Sequence, residues 1–133
     1  MIGYYVYNDE KIIRSFKEET NKEFHNYGSL NPKDIELYVR EYVCGIILDY
    51  ELDMLIRDVV ITGSRCRGKE NRDSDLDIVL YYSGDIREDF LFNLFHSDEL
   101  RIEGVEVDIN PVSYSETGSL SDYLLKVEEY LSK

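Results

Sequence analysis

Two short apolar runs on either side of a polar loop constrain this chain more than any other feature. The first, Val59-Val60-Ile61, passes through Thr62 into Gly63-Ser64; the second opens with Asp75-Leu76-Asp77 and continues as Ile78-Val79-Leu80. Runs this short, rich in β-branched residues and bounded by Gly, Asn, Asp and Ser, read as buried strands. Side chains alternate faces along a strand, so Asp75 and Asp77 project together while Leu76, Ile78 and Leu80 enter a core. Adjacent carboxylates repel and cost stability unless a cation neutralises them. A sheet that places two side by side suits a hard divalent metal better than it suits packing. Downstream, Val105, Val107 and Ile109 alternate with Glu106, Asp108 and Asn110, which puts Asp108 on the polar face of a further strand.

The flanks read as helices that would cover this sheet. Ile13, Phe16, Thr20 and Phe24 recur at helical spacing from Asp9 onward, and Tyr27-Gly28-Ser29 breaks the pattern. The tyrosine-rich start, Met1 to Tyr7, is expected as a short strand or a docked arm. A second helix starts at an Asn31 N-cap with Pro32 and Asp34 in its first turn, and carries the stripe Ile35, Tyr38, Val39, Tyr42, Ile46. A helical turn over Leu52 to Ile56 is expected before the first strand. Ser83 to Asp85 opens a third helix with Ile86, Phe90, Leu91, Leu94 and Phe95 on one side, closed by His96. Leu100 and Ile102 form a brief strand that turns at Glu103-Gly104 into the Asp108 strand, which Pro111 is expected to terminate. Ser119 then caps a last helix with Leu120, Leu124, Val127 and Leu131 in line.

Charge narrows the partners. With 28 acidic and 15 basic residues in 133, the net charge is -13, a field that opposes tight, nonspecific binding to nucleic acid. Arg65, Arg67, Lys69 and Arg72 gather positive charge in the loop between the two apolar runs. No apolar run reaches the ~20 residues of a membrane span, and Asp9, Glu10 and Lys11 interrupt any signal-peptide pattern, so a cytoplasmic location is expected. Cys44 reads as a buried thiol on a helix and Cys66 as an oxidisable one in the loop. Neither has metal-ligand spacing to another Cys or His. With only His25 and His96 present, His-dependent hydrolase chemistry is disfavoured, and His96 reads as an ordinary helix terminus. The twelve tyrosines are read chiefly as core filler, with a docking surface or self-modification as the alternatives.

Gly63-Ser64-Arg65-x-Arg67-Gly68 followed by Ser74-Asp75-Leu76-Asp77, with Asp108 on a later strand, resembles the signature of the nucleotidyltransferase superfamily that includes DNA polymerase beta. It looks most like the minimal prokaryotic nucleotidyltransferase domains that occur as antitoxins paired with a helical toxin and in mobile-element proteins. The resemblance spans Val59 to Pro111. It implies an α+β nucleotidyltransferase fold, one domain in which a small mixed β-sheet packs against helices in two layers, with residues 1–30 a helical extension and 31–133 the nucleotidyltransferase-like unit. It implies transfer of a nucleoside monophosphate from a metal-bound nucleoside triphosphate to a hydroxyl of a protein, RNA or small molecule. Asp75, Asp77 and Asp108 would hold magnesium or manganese, with Asp108 near the attacking hydroxyl as its base. Ser64, capping a short helix, would contact the β- and γ-phosphates with the Gly63 backbone. Arg65 and Arg67 would fork onto phosphate oxygens unless one pairs with Glu70 or Asp73. The alternative is a catalytically silent binding or regulatory module with an antitoxin-like role.

Overall fold

The structure is a computed structural model that describes the backbone of residues 2–132 and the side chains of residues 9–132. The chain runs α1 (Ile2–Glu23), α2 (Pro32–Asp49), β1 (Met54–Thr62), a single 3₁₀ turn (Ser64–Arg67), β2 (Leu76–Gly84), α3 (Glu88–Phe95), β3 (Arg101–Ile102), β4 (Val105–Ser113) and α4 (Leu120–Leu131). The strands form one mixed sheet in the order β1-β2-β4-β3. β1 and β2 pair antiparallel, so the loop carrying Gly63 and Ser64 returns directly beside the strand it left. β2 and β4 pair parallel, which requires a crossover; α3 lies within it. Four helices and a four-stranded open sheet in one small domain are the α+β architecture expected.

Alternation along β2 divides its roles. Leu76, Ile78 and Leu80 lose all solvent contact, as does Ile61 on β1; each such burial contributes roughly 1.5–3 kcal/mol. Asp77, one step out of phase, stays half-buried on the other face. The parallel register sets Asp77 directly opposite Asp108, and the antiparallel one sets Thr62 opposite Asp77. Pairing therefore brings the glycine corner and two acids to one end of the sheet.

The α2 start is a full capping box. The Asn31 side chain accepts from the Asp34 N–H at 3.0 Å, and Asp34 accepts from the Asn31 N–H at 3.4 Å. The buried positions of α2 are Pro32, Ile35, Val39 and Val43, a stripe built on steps of four. Tyr38 lies on its shoulder and is exposed, a departure from the expected stripe.

Several other expectations change. The tyrosine-rich start is the first part of α1 from Ile2 onward rather than a strand; Met1 and the side chains up to Asn8 lie outside the described residues. The segment expected as a helical turn, Leu52 to Ile56, follows a positive-φ turn at Glu51 and is two irregular residues and then the first residues of β1. β4 continues through Pro111 to Ser113. Proline is tolerated there because β3 pairs only with Val105 and Glu106, leaving the later part of β4 without a second neighbour. Phe90 of α3 is exposed. Among the described tyrosines Tyr82 is fully buried and Tyr27, Tyr42, Tyr81 and Tyr123 pack against the core, whereas Tyr38, Tyr50, Tyr114 and Tyr130 are exposed, so tyrosine fills the core only in part.

The two thiols exchange environments relative to expectation. Cys44 is exposed on α2, and Cys66 is buried in the 3₁₀ turn. Burial pushes the Cys66 thiol up to about 12, against a smaller lowering by Arg67. A thiol held protonated and out of solvent is a poor nucleophile. Titration of the native chain with a thiol-reactive disulfide at pH 8 is expected to modify Cys44 at once and Cys66 only on unfolding; equal rates at both would contradict the buried placement.

Candidate active site

The site is assembled at the sheet end where β1 leaves and β2 enters. Residues paired across parallel strands share a face with their Cβ atoms about 5 Å apart, so Asp77 and Asp108 stand side by side. The Asp77 carboxyl is pushed from 3.8 up to about 6, by its own burial first and then by the charges of Asp108 and Asp75. Among the described residues no basic side chain pairs with Asp77. Asp75 precedes β2 by one residue and is exposed at its mouth. No three acidic, histidine or cysteine side chains among the described residues close into a metal-ligand set.

Gly63 makes the corner possible. At φ 70° and ψ -170° it occupies backbone space essentially reserved for glycine, and a Cβ built on it would land within the Asp77 carboxylate. The chain then tightens into the 3₁₀ turn, with Cys66 N–H donating to Gly63 O at 3.2 Å and Lys69 N–H to Ser64 O at 2.9 Å. Ser64 is the first residue of that turn, not its cap; Gly63 holds the cap position.

The loop's basic residues do not serve the cleft as expected. Arg65 is buried and donates from Nε and Nη2 to the Ser74 carbonyl, at 3.1 and 2.9 Å, with its guanidinium 5.5 Å from the Tyr27 ring centroid. It ties off the ends of the polar loop. Arg67 is also buried. It donates to Thr20 Oγ1 at 2.7 Å, to the Cys66 and Phe16 carbonyls, and to Glu128, while lying 4.3 Å over the Phe16 ring. It thus joins α1, the 3₁₀ turn and α4, and its acid partner is Glu128 rather than Glu70 or Asp73. Lys69 donates to the Leu131 carbonyl at the end of α4. These cations hold the corner in place, and neither Arg65 nor Arg67, expected to fork onto phosphate, is in the lining of the cleft.

Other residues complete the site. Thr62, Gly63, Ser64, Asp77 and Asp108 line one side of a cleft of about 690 Å³, and α4 lines another through Tyr123, Lys126 and Tyr130. Lys126 is the basic residue in that lining and has no ion pair among the described residues. Asn110, two residues past Asp108 and on the same face, donates from Nδ2 to the Tyr123 hydroxyl at 3.1 Å. Phe92 reaches the cleft from α3, and the His96 ring behind it contacts Asp108. In the sequence Lys126 resembles any solvated residue on the polar side of an amphipathic helix. Only the docking of α4 over the acid-bearing face gives it a direction.

The cleft sets two acids against one lysine beside a glycine-serine corner. A search of curated proteins finds no match, and none is found among solved structures. The family model described as a nucleotidyltransferase domain matches residues 45–129, from the middle of α2 to the last turns of α4. That span includes both apolar strands, the corner, all three acids and the helix that walls the cleft, and the chain belongs to the nucleotidyltransferase domain family.

Proposed function

We propose that this protein transfers a nucleoside monophosphate from a nucleoside triphosphate to a hydroxyl acceptor, with Asp75, Asp77 and Asp108 as its acidic centre. The observation that carries the proposal is the in-register pair Asp77 and Asp108 at the mouth of the Gly63-Ser64 corner, in a cleft with Lys126 opposite. The donor set fits a hard divalent ion: carboxylate oxygens, with the half-buried Asp77 carboxyl lacking a basic partner among the described residues and raised by its own burial and then by its like-charged neighbours. Asp75, Asp77 and Asp108 are the residues that would hold magnesium or manganese, which when bound would neutralise the acids and the charge gathering on phosphate oxygens.

The chain's own groups supply the rest. Gly63 has no side chain to keep a phosphate from the backbone, and Ser64 lines the cleft beside it with a hydroxyl donor. Lys126 brings a positive charge to the triphosphate from the α4 side. Asp108, half-exposed, accepts the proton of the attacking hydroxyl. The protein's net charge of -13 disfavours a bare polyanion but tolerates a nucleotide that arrives with its cation.

Incubation with α-labelled ATP, GTP, CTP and UTP, magnesium or manganese, and cell lysate tests the proposal. Label fixed on an acceptor by the wild-type chain is the expected result. One observation favours a second reading, a nucleotide-binding module without turnover: the acids do not close into a ligand trio among the described residues. Nucleotide binding without label transfer under every condition would select that module.

Lys126→Ala is expected to raise KM for the nucleotide about tenfold and leave kcat nearly unchanged, since a charge-assisted contact at an exposed lysine is worth about 1.4 kcal/mol. Lys126→Arg should retain most of the affinity. A KM that does not move in Lys126→Ala would remove this residue from the nucleotide's environment.

A further inference from the structure

We propose that His96 is a positioning residue that sets the orientation of Asp108 within the acidic centre. The inference rests on the reading of that centre as a metal-nucleotide site and adds a residue that the family's motif does not contain.

Three contacts fix the imidazole. Its ring stacks on Phe92, with centroids 4.1 Å apart and planes at 29°. Nδ1 lies 2.7 Å from the Phe92 carbonyl oxygen, and Nε2 lies 2.5 Å from Asp108 Oδ1. A carbonyl and a carboxylate oxygen can only accept, so both bonds form together when Nδ1 and Nε2 each carry a proton, and the ring is tethered to the last turn of its own helix. The orientation that results aims Nε2 at a single carboxylate oxygen. His96 is also the C-cap of α3, where its own N–H donates to the Phe92 and Leu94 carbonyls. Backbone and side chain are therefore both anchored to the same helix end.

On the Asp108 side, this bond takes one oxygen and fixes the rotation of the carboxylate. The other oxygen has no protein partner among the described residues. The Asp108 side chain is 44% exposed, enough to turn freely on β4 if nothing held it. Asp77 needs no such device, because it is half-buried and packed on Gly63. The third acid is therefore held from outside, by the ring of a neighbouring helix. Histidines and carboxylates that hydrogen-bond to metal ligands from behind commonly alter affinity or activity by about 10–100-fold when removed.

The test uses Mn2+ alone as its probe, with bound and free ion counted by electron paramagnetic resonance. His96→Phe keeps a ring to stack on Phe92 and loses both donors; His96→Gln keeps a donor for Asp108. The expected result is Mn2+ affinity about 10–100-fold weaker in His96→Phe and restored to within a few-fold in His96→Gln. Asp108→Asn should weaken binding similarly, and the double variant His96→Phe/Asp108→Asn should be no weaker than Asp108→Asn, because the histidine acts through the acid. Wild-type affinity in His96→Phe, or losses that add in the double variant, would overturn the positioning role and leave the metal reading intact. A wild-type chain that binds no Mn2+ would overturn both. A purely structural histidine would shift the thermal midpoint in both His96 variants without this pattern of rescue and non-additivity.

Discussion

Asp77→Asn is expected to abolish label transfer, by more than about 100-fold, and at the same time to make the protein more stable at neutral pH. The first figure exceeds the upper end of what a partner behind a ligand costs, since this side chain would itself be a ligand. The second follows from its surroundings. Burial, then the charges of Asp108 and Asp75, push its carboxyl from 3.8 up to about 6. A carboxyl raised on folding binds its proton more tightly in the native state than in the unfolded chain. Native stability from this group is therefore greatest below about pH 4, falls as pH rises toward 6, and stays reduced above it. The full interval corresponds to roughly 3 kcal/mol, and solvent access to a half-exposed group reduces it to about 1–2 kcal/mol. Asparagine carries no charge to penalise, so its thermal midpoint at pH 7 should exceed wild type by roughly 3–6 °C. That advantage should vanish near pH 4. A midpoint unchanged or lowered at pH 7 would show that no repulsion is held at this position, and near-wild-type transfer would remove Asp77 from the chemistry.

Gly63→Ala should fail for a different reason, losing both fold stability and activity. The backbone there, at φ 70° and ψ -170°, costs a residue with a Cβ about 1–3 kcal/mol. The added methyl group must also displace the Asp77 carboxylate it would overlap. Overpacking of that kind adds roughly 1–3 kcal/mol, for a total of about 2–6 kcal/mol against a stability typically of 5–15. Denaturant unfolding measures the first effect. Any folded fraction should show transfer reduced as in Asp77→Asn, because the carboxylate would be moved off its register partner. As a control, Gly104→Ala shares the positive φ, but its Cβ would meet nothing within 4 Å, so it should lose stability from strain alone and keep activity. Equal losses at both glycines would mean that the Asp77 contact is immaterial.

The sheet end was legible because its signals are local. Gly63-Ser64 and Asp75-Leu76-Asp77 flank one loop, and strand alternation alone puts Asp108 on a polar face. The Asn31 cap with Pro32 and Asp34 was equally plain, since a capping box is complete within four residues. Arg65 and Arg67 were misjudged because their acceptors lie elsewhere in the chain: Thr20 and the Phe16 carbonyl on α1, Glu128 on α4, Ser74 at the far end of the loop. A guanidinium in a phosphate-binding motif reads as a ligand contact until tertiary structure supplies another partner. His96 was read correctly as a helix end, but its reach to Asp108 exists only because the β3-β4 hairpin folds back beside α3. Cys44 was read as buried because it lies in an apolar stretch of α2, but the buried position is Val43, one step of helical rotation away, which a stripe of mixed tyrosine and aliphatic residues does not resolve.

The wall formed by α4 has a temporal side. A ribosome delivers Gly63, Asp77 and Asp108 before it delivers Lys126, so a growing chain can pair its strands while the groove is still open on that flank. Until residues 120–131 emerge, the acids face solvent with no lysine opposite and no partner for Arg67 at Glu128. Translation products that stop before residue 120 would thus carry the motif but not its enclosure, and the proposed transfer would need chains that extend through α4.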